Sequence, residues 1–199
     1  MKISGGKFKG RKLITPPSDS QEIRPLRSRI RKAIFDMLAE DMSGWKVLDL
    51  FAGTGALGIE CLSRNADFAV FIDSSPVSIS IIKRNLKHLG IEEKAKVFEA
   101  KLPGFLKKEV IKKFSPFDLV FITPPYKKGL AVKTLEKLSL ELLEEDAVVI
   151  LEEHEEVEIP EKVGEFSLIS LVIMEKLLFT FLNKQNSNLL TNFLIILCF

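Results

Sequence analysis

The sequence contains little cysteine and little histidine. Its 199 residues include two cysteines, Cys61 and Cys198, and two histidines, His88 and His154. Two cysteines so far apart exclude a disulfide scaffold and a Cys-rich zinc site, and they are typical of a protein from a reducing cytoplasm. Because histidine is also scarce, we expect no metal.

The chain also lacks a hydrophobic run long enough to cross a membrane. The apolar stretch 189–199 has 11 residues, whereas a membrane-spanning helix needs about 20. The first residues, MKISGGKFKGRKL, contain no apolar segment typical of a signal peptide. The composition, with 46% hydrophobic and 28% charged residues, is that of a globular protein. We therefore expect a cytoplasmic protein with one core and no membrane partner.

The small net charge of +2 conceals an uneven distribution. Residues 1–35 carry a net charge of +8 and the rest of the chain carries −6. A basic segment joined to a slightly acidic body is typical of nucleic-acid enzymes, although a solvated arm would look the same. We expect a basic, RNA-binding arm and helix over 1–43, a catalytic domain over 44–182, and an apolar tail of unknown role over 183–199.

Short apolar runs alternate with amphipathic stretches along most of the chain. The runs predict strands at 46–51, 68–72, 96–98, 117–122 and 147–151, and the stretches predict helices at 28–38, 56–64, 75–89, 103–113 and 130–143. This alternation predicts an α/β fold with a mostly parallel sheet and helices on both faces. Residues 166–173 and 177–182 predict an antiparallel C-terminal strand pair.

A glycine-rich turn follows the first predicted strand. Gly53, Gly55 and Gly58 have the spacing G-x-G-x-x-G between a strand and a helix. Such a turn lets the backbone approach a nucleotide at the carboxyl edge of a parallel sheet. Asp73 ends the second strand, where an acid can hold two ribose hydroxyls. These features suit NAD as well as other adenosine ligands.

Asp49 separates these ligand classes. A carboxylate just before the turn would repel a pyrophosphate but would attract an ammonium group. S-adenosylmethionine carries an ammonium group and no phosphate. The alternative is an aspartate that only orders its own turn.

The fourth predicted strand ends at Thr123-Pro124-Pro125-Tyr126. Two prolines stop a strand abruptly, because neither can donate to the sheet. Tyr126 is the single tyrosine in a chain with fifteen phenylalanines. A ring that follows a rigid turn at the ligand edge is placed to stack on a base, although a simple strand stop would also explain the prolines.

These motifs together resemble class I S-adenosylmethionine-dependent methyltransferases that act on exocyclic amino groups. The N-terminal series is similar to the RsmD family, bacterial enzymes that methylate a guanine N2 in small-subunit (16S) ribosomal RNA. That series comprises GGKFKGRKL at 5–13, Arg24-Pro25 and RIRKAIFDML at 29–38. The resemblance covers residues 3 to about 160. It implies a Rossmann-like class I methyltransferase sheet, S-adenosylmethionine as cofactor, and ribosomal RNA in a small-subunit particle as partner.

The resemblance also implies roles for single residues. The Thr123 hydroxyl and the Pro124 carbonyl would accept the two N2 protons, Pro125 would hold the turn rigid, and Tyr126 would stack on the base. The expected cofactor-binding residues are Asp49, Phe51, Gly53, Gly55, Asp73 and Glu99. The residues expected to bind RNA phosphates are Lys7, Lys9, Arg11, Arg24, Arg29 and Arg31.

The chain departs from the family pattern at three places. Thr123 replaces the usual Asp. Lys101 aligns with an acid that is often found near the adenine, and Glu99 is then the nearest substitute for that acid. The tail beyond Met174 lacks the family pattern. Three alternatives therefore stay open. They are a nicotinamide-dependent oxidoreductase, an RNA-binding relative without catalysis, and an amino-methyltransferase acting on DNA.

Overall fold

The computed structural model describes residues 1–16, 28–125, 129–154, 162–163, 166–174 and 177–184. The chain divides into two compact units, Met1–Lys101 and Leu102–Phe199. The functional boundaries at 43/44 and 182/183 stay a prediction, and the tail residues 185–199 lie outside the described residues.

The first unit is built on three parallel strands. Strand β2 pairs with both β1 and β3 in parallel register. Val47, Leu48 and Leu50 of β1 are fully buried, as are the four central residues of β2. In chain order the unit contains α1 (Ser28–Met37), β1 (Lys46–Leu50), α2 (Ala56–Ser63), β2 (Phe68–Asp73), α3 (Pro76–Leu89) and β3 (Ala95–Glu99).

The ends of α3 follow from local sequence signals. Ser75 caps the helix by accepting a hydrogen bond from the Ser78 backbone N–H, and Pro76 occupies a first-turn position where its missing N–H costs nothing. Gly90 ends the helix in the left-handed conformation.

The N-terminal residues form a hairpin against this unit. Lys2 and Lys12 pair in an antiparallel bridge. The backbone N–H of Leu13 donates to the Met1 carbonyl at 2.9 Å. Ile3, Phe8 and Leu13 are buried, so the hairpin is part of the packed unit. Residues 17–27, which include Arg24 and Pro25, lie outside the described residues.

The second unit combines parallel and antiparallel strand pairs. Strand β4 runs parallel to β5, whereas β8 runs antiparallel to both β5 and β7, and β7 pairs antiparallel with β6. Its elements are α4 (Glu109–Lys112), β4 (Phe117–Ile122), α5 (Leu130–Leu135), β5 (Leu143–His154), β6 (Lys162–Val163), β7 (Phe166–Met174) and β8 (Leu177–Lys184).

Two predicted helices are wrong in length. The helix predicted over 103–113 is a 3₁₀ turn, Gly104–Lys107, and then α4, because Lys108 between them is extended. The helix predicted over 130–143 ends at Leu135. Ser139 is extended and its hydroxyl accepts a hydrogen bond from the Glu141 N–H, which is a common competitor of helix continuation. The other predicted strands and helices begin and end within a few residues of the observed ones.

Across the part of the chain that the structure describes, no helix combines the length and the apolar character needed to span a bilayer.

Candidate cofactor-binding site and basic surface

The glycine turn adopts a conformation that its sequence favours. The Ala52 N–H donates to the Ile72 carbonyl at 3.1 Å, which fixes the turn to β2. Gly55 precedes α2 with a φ of 76°. A side chain there would be strained, and its Cβ would lie 3.1 Å from Ile82 of α3. The second glycine of the motif therefore serves both a left-handed turn and close packing.

The third glycine of the motif allows α2 to approach the sheet. A Cβ at Gly58 would overlap the ring of Phe71 in β2 and would lie 3.2 Å from Asp49 Oδ2. Close helix–strand packing is the role expected of this position in nucleotide-binding turns.

Asp73 organises the edge of the sheet where β2 ends. One carboxylate oxygen accepts a hydrogen bond from the Gly53 N–H at 2.8 Å, and the other accepts one from the Ser75 N–H at 2.8 Å. Asp73 thus ties the glycine turn to the start of α3. Because a carboxylate oxygen can accept more than one hydrogen bond, both oxygens retain capacity for a ligand hydroxyl.

Asp49 is buried and only partly satisfied. Its Oδ2 accepts a hydrogen bond from the Gly58 N–H at 3.0 Å, whereas Oδ1 has no hydrogen-bond partner among the described residues. The side chain is 1% exposed. Burial, and to a smaller extent the charge of Asp73, raises the pKa of Asp49 to about 8 against the opposing effect of the Gly58 N–H. A buried carboxyl with one unused oxygen suits a cationic ligand.

Phe51 connects Asp49 to the turn in an unusual conformation. It is half-buried and has a φ of 60°. For a bulky side chain this conformation costs of the order of 1–2 kcal/mol, and such strained residues cluster at ligand sites. The role of Phe51 in the cofactor site stays a prediction.

Glu99 lies beside Asp73 at the same edge. The two residues are register partners on β3 and β2, and the Ala100 N–H donates to the Asp73 carbonyl at 2.9 Å. Glu99 and Lys101 are both exposed. The structure therefore brings five of the predicted cofactor residues together around the turn and places Glu99 at its border.

Thr123, Pro124 and Pro125 follow the end of β4 without helix or strand structure. Thr123 is half-buried, Pro124 is buried and Pro125 is exposed. Strand β4 therefore stops at the residue before this motif. Tyr126 lies outside the described residues, and its stacking role stays a prediction.

The residues predicted to bind RNA divide into exposed and buried groups. Lys7, Lys9, Arg11 and Arg29 are exposed, as an interface requires, and Arg24 lies outside the described residues. Arg31 was predicted to bind RNA phosphates, but the structure does not place it at the surface. Its side chain is 2% exposed, and its guanidinium donates to the Lys2 carbonyl.

Arg31 is buried because the core contains an acid that sequence reasoning missed. Glu60 of α2 is fully buried, and its carboxylate accepts hydrogen bonds from Ser4 and Gly5 of the hairpin. The Nε atoms of Arg31 and Arg64 lie 3.9 and 3.5 Å from Glu60. Burial lowers the pKa of Arg31, and Glu60 opposes this effect. The sequence signal for a buried acid was the position of Glu60 as the single acid in the otherwise apolar helix ALGIECLS.

Asn85 is a second residue that the sequence analysis missed. This buried side chain of α3 accepts a hydrogen bond from the Ile14 N–H at 2.7 Å and donates to the Ile14 carbonyl at 3.1 Å. Its amide also donates to the Thr54 carbonyl at 3.2 Å. Asn85 therefore joins the N-terminal segment directly to the glycine turn. The signal was a polar residue at a core position of an amphipathic helix.

Solved structures define the class of protein to which this fold and turn belong. "Putative methyltransferase yhhF" from Escherichia coli has a TM-score of 0.78 and 30% identity, covering 93% of this chain and 98% of that one. SMU.776, "a putative methyltransferase complexed with SAH", has a TM-score of 0.61 and 14% identity, covering 88% of this chain and 52% of that one. The predicted α/β, Rossmann-like methyltransferase fold is confirmed.

Sequence comparison narrows the class to a family. The family described as Conserved hypothetical protein 95 matches residues 1–182. "Ribosomal RNA small subunit methyltransferase D" of Escherichia coli (strain K12) is 34% identical over 169 residues, covering 84% of this chain and 82% of that protein. The chain therefore belongs to the RsmD family of methyltransferases, as its motifs indicated.

Proposed function

We propose that this chain transfers a methyl group from S-adenosylmethionine to the exocyclic N2 of a guanine in small-subunit (16S) ribosomal RNA. The observation that carries the proposal is the buried Asp49 Oδ1, which has no hydrogen-bond partner among the described residues and lies at the start of the glycine turn.

The residues of the turn fit an adenosine ligand that carries a positive charge. Asp49 would face the ammonium group of the cofactor, whose charge offsets the cost of ionising a buried carboxyl. Asp73 would accept the ribose hydroxyls while it holds Gly53 and Ser75. When bound, S-adenosylmethionine supplies a methyl group activated by its sulfonium. A dinucleotide fits less well, because its negatively charged pyrophosphate would be repelled by Asp49.

One structural neighbour was solved with a ligand derived from this cofactor. SMU.776, a structural neighbour of this fold, was solved in complex with SAH, the product of S-adenosylmethionine after methyl transfer. Its identity of 14% supports the fold alone. The cofactor assignment therefore depends on the fit of Asp49, Phe51 and Asp73.

The motif after β4 would position the target base. The amino group of guanine is a poor nucleophile, because its lone pair is delocalised into the ring. The Thr123 hydroxyl and the Pro124 carbonyl would accept its two protons and turn the lone pair toward the methyl group. Pro125 would keep this short segment rigid, and Tyr126 would stack on the base. A base outside a helix reaches such a pocket at the lowest cost.

Ribosomal RNA is the substrate that the relatives' names support. The Escherichia coli relative is named for the small-subunit ribosomal RNA. Exposed Lys7, Lys9, Arg11 and Arg29, together with Arg24, would contact the phosphates of that RNA. An RNA-binding relative without catalysis is the second candidate, favoured by Thr123 in the place of the usual Asp.

Thr123 variants test the catalytic step. The parent chain should methylate undermethylated small-subunit particles. Thr123→Val removes the hydroxyl at nearly constant volume and should lower kcat by about 10²-fold, whereas Thr123→Ser keeps the acceptor and should retain most of kcat. SAH affinity should be equal in all three chains. Equal rates for the parent and Thr123→Val would contradict the role of the hydroxyl.

Thr123→Asp separates the two candidate functions. If the parent transfers no methyl group and Thr123→Asp does, the chain is an RNA-binding relative that has lost catalysis. Mass spectrometry of ribosomal RNA from cells with and without the protein identifies the methylated base. A modification on adenine, or no difference between the two RNAs, would contradict the guanine N2 assignment.

A further inference from the structure

Helix α3 presents basic side chains to solvent that the cofactor site does not use. Lys83, Arg84, Lys87 and His88 are exposed, and the helix contains no acidic residue. Residues four apart on a helix are neighbours on its surface, so these side chains form one strip. In the described part of the chain, no carboxylate lies within ion-pair distance of them.

The N-terminal hairpin extends this strip. Arg11 donates from Nη2 to the His88 carbonyl at 3.1 Å, which joins the hairpin to the end of α3. Lys7 and Arg11 both lie beside the buried Phe8 ring, at 5.6 and 5.8 Å from its centroid. We name the exposed surface formed by Lys7, Lys9, Arg11, Lys83, Arg84 and Lys87 the hairpin–helix face. Exposed Glu92 and Glu93 follow α3 in the sequence and mark its acidic border.

The hairpin–helix face is held rigidly. The Lys7 and Phe8 N–H groups donate to the carbonyl and the hydroxyl of Ser63 at 2.6 and 2.9 Å. Glu60 holds the preceding residues, Ser4 and Gly5. The hairpin backbone that carries these cations is therefore anchored, which lowers the entropic cost of binding a ligand.

The same face is distant from the cofactor turn. Asp73 and Ser75 lie at the N-terminal end of α3, whereas Lys83 to Lys87 occupy its last turns. At about 1.5 Å per residue, these cations lie roughly 10–17 Å further along the helix axis. They are therefore too far away to contact the cofactor that Asp73 and the glycine turn would hold.

The chemistry of the face favours phosphate over a protein partner. Protein interfaces have an apolar core with aromatic anchors. The exposed large apolar side chains among the described residues are Met37 and Val77, and neither belongs to this face. Several cations without acids or apolar anchors instead match the repeated charge of a nucleic-acid backbone.

We propose that the hairpin–helix face binds RNA phosphates away from the target nucleotide, so that α3 is part of the RNA-binding surface. This inference rests on the proposed function of the chain as an RNA methyltransferase. Contacts away from the reacting group are the same in the ground state and in the transition state, so their loss raises KM and leaves kcat unchanged.

The test is the triple variant Lys83→Gln/Arg84→Gln/Lys87→Gln. Glutamine has a helix propensity close to that of lysine and arginine, so α3 should persist. A matched control removes three exposed lysines of the second unit, Lys113→Gln/Lys133→Gln/Lys137→Gln. Affinity for undermethylated small-subunit particles is measured for the parent and both variants between about 50 and 200 mM salt. KM, kcat and SAH affinity are measured in parallel.

We expect the α3 variant to bind the particles at least about tenfold more weakly near physiological salt, with a salt slope smaller by about 2. Its KM should rise to match, while its kcat, SAH affinity and thermal stability stay those of the parent. The control should resemble the parent in all measurements.

An α3 variant with the parent's affinity and salt slope would overturn the inference. Equally weakened binding of the particles by both variants would also overturn it, since affinity would then depend on the total charge of the chain. A parent that binds particles but methylates nothing contradicts the proposed function alone, because the binding comparison remains decisive for the hairpin–helix face.

Discussion

Asp49 illustrates a conflict between stability and binding at a single residue. In the unfolded chain its carboxyl ionises near pH 4, whereas burial in the folded chain raises its pKa to about 8. Between these values the folded state holds one proton more than the unfolded state. The free energy of unfolding therefore falls as pH rises from about 4 to about 8. A site that needs a buried negative charge therefore lowers the stability of the folded chain whenever the ligand is absent.

Asp49→Asn should remove this loss of stability. Asparagine keeps an oxygen that can accept the Gly58 N–H but has no charge to bury. Compared with the parent, the variant should have similar stability at about pH 4 and be more stable by of the order of a few kcal/mol at about pH 9. Urea unfolding at several pH values measures the difference. Exposed Asp146→Asn is the control, and a constant difference across this pH range would contradict the raised pKa.

The same substitution should weaken the binding of SAH, which carries the ammonium group. Loss of a buried charge partner should lower affinity by at least about tenfold. In the parent, SAH affinity should rise with pH up to about 8, because binding requires ionised Asp49. Calorimetric titration at several pH values tests both statements. An unchanged affinity in Asp49→Asn would show that Asp49 only orders its turn.

At the scale of elements, the N-terminal hairpin depends on two glycines. The segment packs on the last turn of α2. Gly6 has a φ of 68°, and a Cβ there would overlap the Ser63 carbonyl. Gly10, at the other side of the hairpin turn, has a φ of 84° with no atom near its Cβ position.

These two glycines make a matched pair of substitutions. Gly10→Ala should cost about 1–2 kcal/mol, the price of a left-handed alanine. Gly6→Ala adds a backbone clash and should cost clearly more, with loss of hydrogen-exchange protection at the Lys7 and Phe8 amides. Urea unfolding and exchange measure the two effects. Equal losses of stability would contradict the packing of Gly6 against α2.

The sequence predicted elements well where one local pattern dominated. The continuous apolar runs of β1, β2 and β4 and the capped amphipathic helix α3 were recognised, and so was the glycine turn with Asp49 and Asp73. Helical periodicity alone misjudged 103–113 and 130–143, because extended Lys108 and Ser139 interrupt it. Arg31 and Asn85 could not be placed, because their partners are 29 and 71 residues away in the sequence.

At the scale of the whole molecule, ligand binding should be visible as stability. A ligand that binds only the folded chain adds about 2.7 kcal/mol at one hundred times its Kd. For a chain of this size, that corresponds to a Tm increase of roughly 5–10 °C. SAH should produce this increase and NADH at the same concentration should produce none. Stabilisation by NADH alone would favour an oxidoreductase.

The uneven charge of the chain now has a structural explanation. Arg31 belongs to the +8 segment, but it balances buried Glu60 inside the first unit. The proposed RNA-binding surface instead includes exposed cations of α3, within the part of the chain that carries a net charge of −6. Charge counted along the chain predicted a nucleic-acid partner, but only the fold shows which cations reach the surface.

The anchoring of the hairpin by Glu60 has a consequence for synthesis of the chain. Ser4 and Gly5 leave the ribosome before their partner, which is more than fifty residues further along the sequence. At about 5–20 residues per second, the segment waits for several seconds before α2 exists. Its polar, basic composition keeps it soluble during that interval. This segment of the nascent chain can therefore reach its folded position only after α2 has been synthesised.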